Sequence, residues 1–257
     1  MDTLATLSSS AWRELSANEK FRRYMNALGL PQQEKQIEKR LQREFGKQWA
    51  EFLAEAERRC NDDMTHDVYA LKNQNLTFSL LVNAAERREL HALAFSLLDS
   101  TSEPSTGVLD VGCENGFLTC LMALRWPNVQ VIGFDKSKPA VECGRELASK
   151  LKLQNVTFHI GEIDKIAQSF SGRGRSFDLI TTITVLHDGG FLPSREKSQR
   201  GNSEIFTPLA GLQTSAAFPA IASLLGHSGG RWFSWNAALA QRCFRRGAKL
   251  WILWALG

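Results

Sequence analysis

The spacing of apolar residues changes near the middle of the chain, and that change divides it into regions. Over residues 32–59, Ile37, Leu41, Phe45, Trp49, Phe52 and Leu53 recur at helical spacing among Glu, Lys, Arg and Gln. That is the period of an amphipathic helix, and the stripe reads as a packing face. Ser16-Ala-Asn-Glu19 has the spacing of a capping box, and Pro31 can open the next helix at its first turn. A further helix is predicted over 78–99, ending in the turn-rich segment 100–107. Beyond it the apolar residues gather into short runs at 108–111, 129–135, 156–160 and 177–188. Helix-compatible stretches at 117–125 and 139–151 separate the first three. Strand and helix in alternation predict an α/β domain with a parallel sheet.

The first of these runs carries the most chemistry. Gly107-Val-Leu-Asp110-Val-Gly112-Cys113-Glu114-Asn-Gly116 reads as a buried strand that breaks through a glycine turn into a helix. An α/β sheet places nucleotide-like ligands at such a turn. Glycines let the backbone come close to a ligand, and a helix N-terminus offers unpaired N–H groups. Asp110 at the strand end can accept hydrogen bonds from a cationic amino-acid ligand, whereas it would repel a pyrophosphate. The dinucleotide fingerprint Gly-x-Gly-x-x-Gly fits worse, because from Gly112 it needs glycine where Glu114 and Phe117 stand.

This stretch resembles the first motif of class I S-adenosylmethionine-dependent methyltransferases, commonly acid-x-Gly-x-Gly-x-Gly, with Glu114 in place of the middle glycine. The following runs fit the same order: one ends at Asp135, one is followed by Gly161-Glu162-Ile163-Asp164, and one ends at His187-Asp188. The resemblance covers roughly residues 105–190. It implies a Rossmann-like methyltransferase sheet and S-adenosyl-L-methionine as cofactor. Asp110, Gly112 and Gly116 would lie at its methionine end, Asp135 at the ribose and Glu162 near the adenine, Asp164 being the fallback. Cys113, Lys136 and Ile163 are the further cofactor-binding residues it implies. The implied reaction is in-line displacement of the sulfonium methyl by an O, N or C atom of an acceptor. It needs alignment of two reactants more than a dedicated nucleophile or a metal. No catalytic residue is assigned. His187 has the right pKa for a general base, but its place equally suits a pocket-lining or structural role. Asp178 opens the fourth run and reads as structural.

The acceptor is expected to be a small molecule, with protein and RNA as further classes, and the oligomeric state is open. A catalytically inactive methyltransferase-like binding or regulatory protein is the alternative function. A nicotinamide-dependent oxidoreductase comes third, disfavoured by Asp110 and the missing glycines.

Composition fits an ordinary globular protein, with 43% hydrophobic and 23% charged residues among 257. The five cysteines form no C-x-x-C pair and read as reduced thiols. Asn75-Leu-Thr and Asn155-Val-Thr match the glycosylation sequon but are read as coincidental. No secretory pattern opens the sequence and no apolar run reaches membrane-spanning length, so a cytoplasmic protein without membrane contact is expected.

The end of the chain departs from this picture. After Asp188 eight basic residues stand against two acidic ones, and four of the seven tryptophans fall there. The bases are scattered, without a recognised nucleic-acid module. Residues 231–235 and 249–256 could be strands, but no stretch has the usual fifth-strand pattern, so the C-terminal part of the sheet is expected to be incomplete. The division expected is a helical extension over 1–104, a possible substrate cap by family analogy, then a cofactor-binding core over 105–190. Residues 191–257 form an atypical basic, Trp-rich tail, a divergent end or the product of a shifted frame or alternative terminus.

Overall fold

The computed structural model describes residues 7, 10–61, 68–162, 165, 170, 177–183, 231–235 and 253–256. The chain divides into two compact units, Met1–Glu103 with Cys113–Ile160, and Pro104–Gly112 with Gly161–Gly257. The first unit holds helices α1 (Ser10–Arg13), α2 (Ala17–Ala27), α3 (Glu34–Asn61), α4 (Val68–Lys72), α5 (Leu76–Asp99), α6 (Phe117–Arg125) and α7 (Lys138–Lys150). It also holds strands β2 (Val131–Asp135) and β3 (Val156–Ile160). The second holds β1 (Val108–Val111), β4 (Leu179–Ile183), β5 (Arg231–Trp235) and β6 (Leu253–Leu256).

Local chemistry sets the helix ends. Ser16 and Glu19 make the capping box at the start of α2, each side chain accepting from the other's backbone N–H at 3.4 Å. Helix α5 starts two residues earlier than its apolar pattern, because the Asn75 side chain accepts from Phe78 N at 2.8 Å. Asn75 is thereby a helix cap. Asn155 donates to the carbonyls of Ala123, Trp126 and Val129, so both sequon asparagines serve the fold. Helix α5 is apolar around most of its circumference and packs on α2, α3, α6 and α7. In α3 the predicted stripe buries Ile37, Leu41 and Phe52, but Leu53 is 46% exposed. A kink at Phe45, where φ is −133°, turns the second half of α3 and brings both Phe45 and Phe52 onto Phe78.

Within the first unit, β2 and β3 pair in parallel, and α7 connects them. Pro139 sits in the first turn of α7, where its missing N–H costs nothing. Within the second unit β1 pairs with β4 in parallel, β4 with β5 in parallel, and β5 with β6 antiparallel. Strand β1 is buried along its length, as a strand covered on both faces must be. The architecture is the expected Rossmann-like α/β class. Both tail segments read as strands in the sequence are strands, and they extend the sheet beyond β4. The remainder of 191–257 lies outside the described residues. Asp178 accepts from the backbone N–H groups of Ser105 and Thr106, pinning the segment before β1, a structural role as read. Among the described residues no helix is long and apolar enough to cross a membrane.

The ring of Phe158, on β3, is enclosed by three glycines. A Cβ added at Gly116, Gly133 or Gly144 would come within 2.7, 2.9 and 2.9 Å of it respectively. Gly144→Ala tests this packing against helix propensity. Alanine in the interior of α7 would ordinarily gain about 1 kcal/mol, but overpacking against a confined ring costs about 1–3 kcal/mol. We expect net destabilisation by urea unfolding; a more stable variant would show that Phe158 has room to move.

Candidate functional site

The loop that follows β1 has left-handed residues at three alternate positions: Gly112 at φ +69°, Glu114 at +49° and Gly116 at +73°. Such a conformation is natural for glycine and costs a residue with a Cβ about 1–2 kcal/mol. Glu114 holds it because its surroundings leave no alternative. Its side chain is buried, with Oε1 2.5 Å from the Lys72 ammonium of α4 and Oε2 accepting from Arg87 of α5 at 3.2 Å. The Lys72 contact is an ion pair; the aligned hydrogen bond is the one from Arg87. Glu86 lies 3.8 Å from Lys72, so two cations face two carboxylates.

The electrostatics follow from burial and pairing. Burial opposes the charge on Glu114, but Lys72 and Arg87 outweigh it and hold the carboxyl down at about 2. Burial lowers the pKa of Lys72, with Glu114 opposing. Desolvation also works against Arg87, yet the charge of Glu114 prevails and raises it. His91, stacked on Phe117 at 5.0 Å, is pushed down to about 3 by burial and by Arg87, so its imidazole is neutral. Removing one partner from a buried ion pair typically costs about 3–5 kcal/mol.

The next loop residue is tied to the same helices. Asn115 is fully buried; its Nδ2 donates to Ser79 Oγ at 2.7 Å, and its Oδ1 accepts from Asn83 Nδ2 at 2.9 Å. The same oxygen accepts from Phe117 N at 3.2 Å. That first N–H of α6, expected to be open to a ligand, is therefore satisfied within the protein. Tyr24 of α2 donates to the Phe117 carbonyl at 2.9 Å, a contact with no signal in the local sequence.

Asp135 closes the loop from the end of β2. Its Oδ2 accepts from Glu114 N at 3.0 Å and its Oδ1 from Ser137 N at 2.8 Å. Each carboxylate oxygen keeps a second lone pair for an outside donor. Burial raises its pKa to about 6, with the N–H groups of Ser137 and Glu114 opposing. Acceptor chemistry of this kind fits a pair of hydroxyl donors, such as the ribose hydroxyls that the resemblance places at Asp135.

The other predicted residues fall as follows. Asp110 is buried within β1, and its Oδ1 accepts from Thr181 of β4 at 2.7 Å. Cys113 is buried beside Gly133, with its N–H on the Phe134 carbonyl. Gly116 is buried against Phe158, so packing as well as φ demands glycine there. Lys136 and Glu162 are exposed. Ile163, Asp164 and His187 lie outside the described residues. Sequence reasoning passed over Lys72, Asn115 and Thr181, which are buried, and Arg87, which is partly buried.

Known proteins resemble this chain over part of its length. Residues 102–204 match the family model described as a methyltransferase domain. Ribosomal RNA small subunit methyltransferase C of Klebsiella pneumoniae is 35% identical over 117 residues, 45% of this chain and 32% of that protein. Its counterpart from Enterobacter is 36% identical over 95 residues, 36% of this chain and 26% of that protein. The chain thus spans about a third or less of the length of these curated relatives. Among solved structures, PKMT2 from Rickettsia typhi in complex with AdoHcy is 25% identical, at a TM-score of 0.35 over 50% of this chain and 20% of that one. Magnesium protoporphyrin IX methyltransferase from Synechocystis is 17% identical, at a TM-score of 0.40 over 79% and 71%.

The pKa of Asp135 has a stability consequence with a definite sign. A carboxyl raised to about 6 favours the folded state in its neutral form. That contribution is complete below the unfolded value near 4 and is lost as pH rises through 6. The stability of Asp135→Asn relative to the parent should therefore increase between pH 4 and 6 and then level off. A flat difference across that range in urea unfolding would place Asp135 in a more solvated setting.

Proposed function

We propose that the chain, which matches a methyltransferase domain over residues 102–204, is a class I S-adenosylmethionine-dependent methyltransferase that binds S-adenosyl-L-methionine at the loop between Gly112 and Gly116 and passes its methyl group to an acceptor. The observation that carries this reading is the half-buried Asp135 carboxylate, bonded to the loop through Glu114 N with lone pairs to spare for two ribose hydroxyls. When bound, the cofactor supplies a sulfonium-activated methyl, and the protein's share is to hold donor and acceptor aligned.

In this reading Asp110, Gly112 and Gly116 serve the methionine end, Asp135 the ribose and Glu162 the adenine, with Cys113, Lys136 and Ile163 as further cofactor-binding residues. Asp110, already held by Thr181, would do so as a fixed acceptor. The acceptor is a small molecule that attacks the methyl through an O, N or C atom, and the setting is cytoplasmic. The core is residues 105–190, flanked by a helical extension and an atypical tail. RNA is the second acceptor class, favoured by the names of the rRNA methyltransferases that the chain resembles over part of their length.

Titration with S-adenosylhomocysteine tests the cofactor assignment. At a hundred times Kd, binding adds about 2.7 kcal/mol and raises Tm. Asp135→Ala should weaken affinity by more than about tenfold, 1.4 kcal/mol, and unchanged affinity would remove Asp135 from the site. Labelled methyl transfer to fractionated small molecules or to RNA then separates the two acceptor classes.

A further inference from the structure

Glu114 stands where the related motif has glycine, and its conformation is strained for a residue with a side chain. Nothing in the loop's own sequence explains it. The explanation lies in the helical extension, since both cations that hold Glu114 come from there: Lys72 at the end of α4 and Arg87 in α5. Asn115 is held in parallel by Ser79 and Asn83 of α5. Ser79 Oγ in turn donates to Asn73, the residue after α4. Two successive loop residues are thus clamped from the helical extension, Glu114 by α4 and α5 and Asn115 by α5. The backbone N–H of Glu114 is the one that Asp135 accepts. From Lys72 to Asp135 the path is one ion pair, one residue and one hydrogen bond, all within the first unit.

We infer that Glu114 is a positioning residue for the cofactor, through which α4 and α5 set the loop and the Asp135 carboxylate, so that cofactor binding and the docking of α4 are coupled. The inference rests on the cofactor assignment above. It gives the helical extension a part in cofactor binding, separate from covering an acceptor. Removing the clamp frees the loop to leave its left-handed path, and Asp135 then loses a donor that holds it in place. Coupling of this kind is reciprocal: what strengthens the loop for the cofactor also strengthens α4 when the cofactor is bound.

The test compares the full chain with Lys72→Met/Glu114→Gln and with Glu114→Gly, using S-adenosylhomocysteine as ligand. The double variant removes one charge of each sign, so the net charge of the cluster is unchanged, and the glutamine amide oxygen can still accept from Arg87; it is the variant chosen to fold. Glu114→Gly relieves the φ strain but leaves Lys72 and Arg87 without their carboxylate, so its affinity is read beside its own unfolding curve and the double variant decides. Calorimetry should show affinity at least tenfold weaker in both variants, with cooperative unfolding retained in the double variant. Amide exchange of the parent should slow on ligand addition at 68–72 as well as at 113–116, and the slowing at 68–72 should vanish in the double variant. Parent-like affinity in a folded double variant overturns the inference, as does ligand protection of 113–116 without any at 68–72. A parent that binds no S-adenosylhomocysteine overturns the cofactor assignment and the inference together.

Discussion

The glycine loop after β1 depends on a carboxylate buried between two cations. Glu114 takes a left-handed conformation that a side chain disfavours, and it keeps it because Lys72 and Arg87 give its charge a place in an interior that would otherwise reject it. The backbone strain is about 1–2 kcal/mol, smaller than the cost of leaving either buried partner alone. The balance therefore favours the strained loop. From this one arrangement follow the direction of the Glu114 N–H, the bond it makes to Asp135 and the entry into α6 through Asn115 and Gly116.

Two carboxylates one hydrogen bond apart are driven in opposite directions. Glu114 is held ionised at about 2 despite its burial, because cations surround it. Asp135 is raised to about 6, because burial raises it more than the backbone N–H groups of Ser137 and Glu114 and the charge of Lys136 lower it, while the charge of Glu114 adds to the rise. The first is spent on structure. The second is left with unused acceptor capacity and an unfavourable charge, the state of a group that gains from an incoming hydrogen-bond donor.

Much of this was legible in the sequence. Period and punctuation marked the strands at 108–111, 131–135 and 156–160 and the helices at 117–125 and 138–150 within a residue or two. They also marked Asp135 as the acid at the end of β2 and Ser16 as a cap. Local patterns failed where the partner was distant. Glu114 read as a flaw in the motif, because its cations lie in helices earlier in the chain. Gly116 read as room for a ligand, but its missing Cβ is also room for Phe158, whose ring arrives from β3 and demands Gly133 and Gly144 as well. The N–H of Phe117 read as open, yet Asn115 fills it from two residues away. Glycine and charge patterns say that a position is constrained, and tertiary packing decides by what.

The most direct measurement of the central claim is the Asp135 carboxyl carbon followed by NMR across pH, with and without S-adenosylhomocysteine. In the free protein it should titrate near 6. With the ligand bound, two hydroxyl donors favour the carboxylate, so the midpoint should move well below 6. A midpoint that stays near 6 in the saturated complex would show that the ribose is bound elsewhere, and the site built on Asp135 would fall.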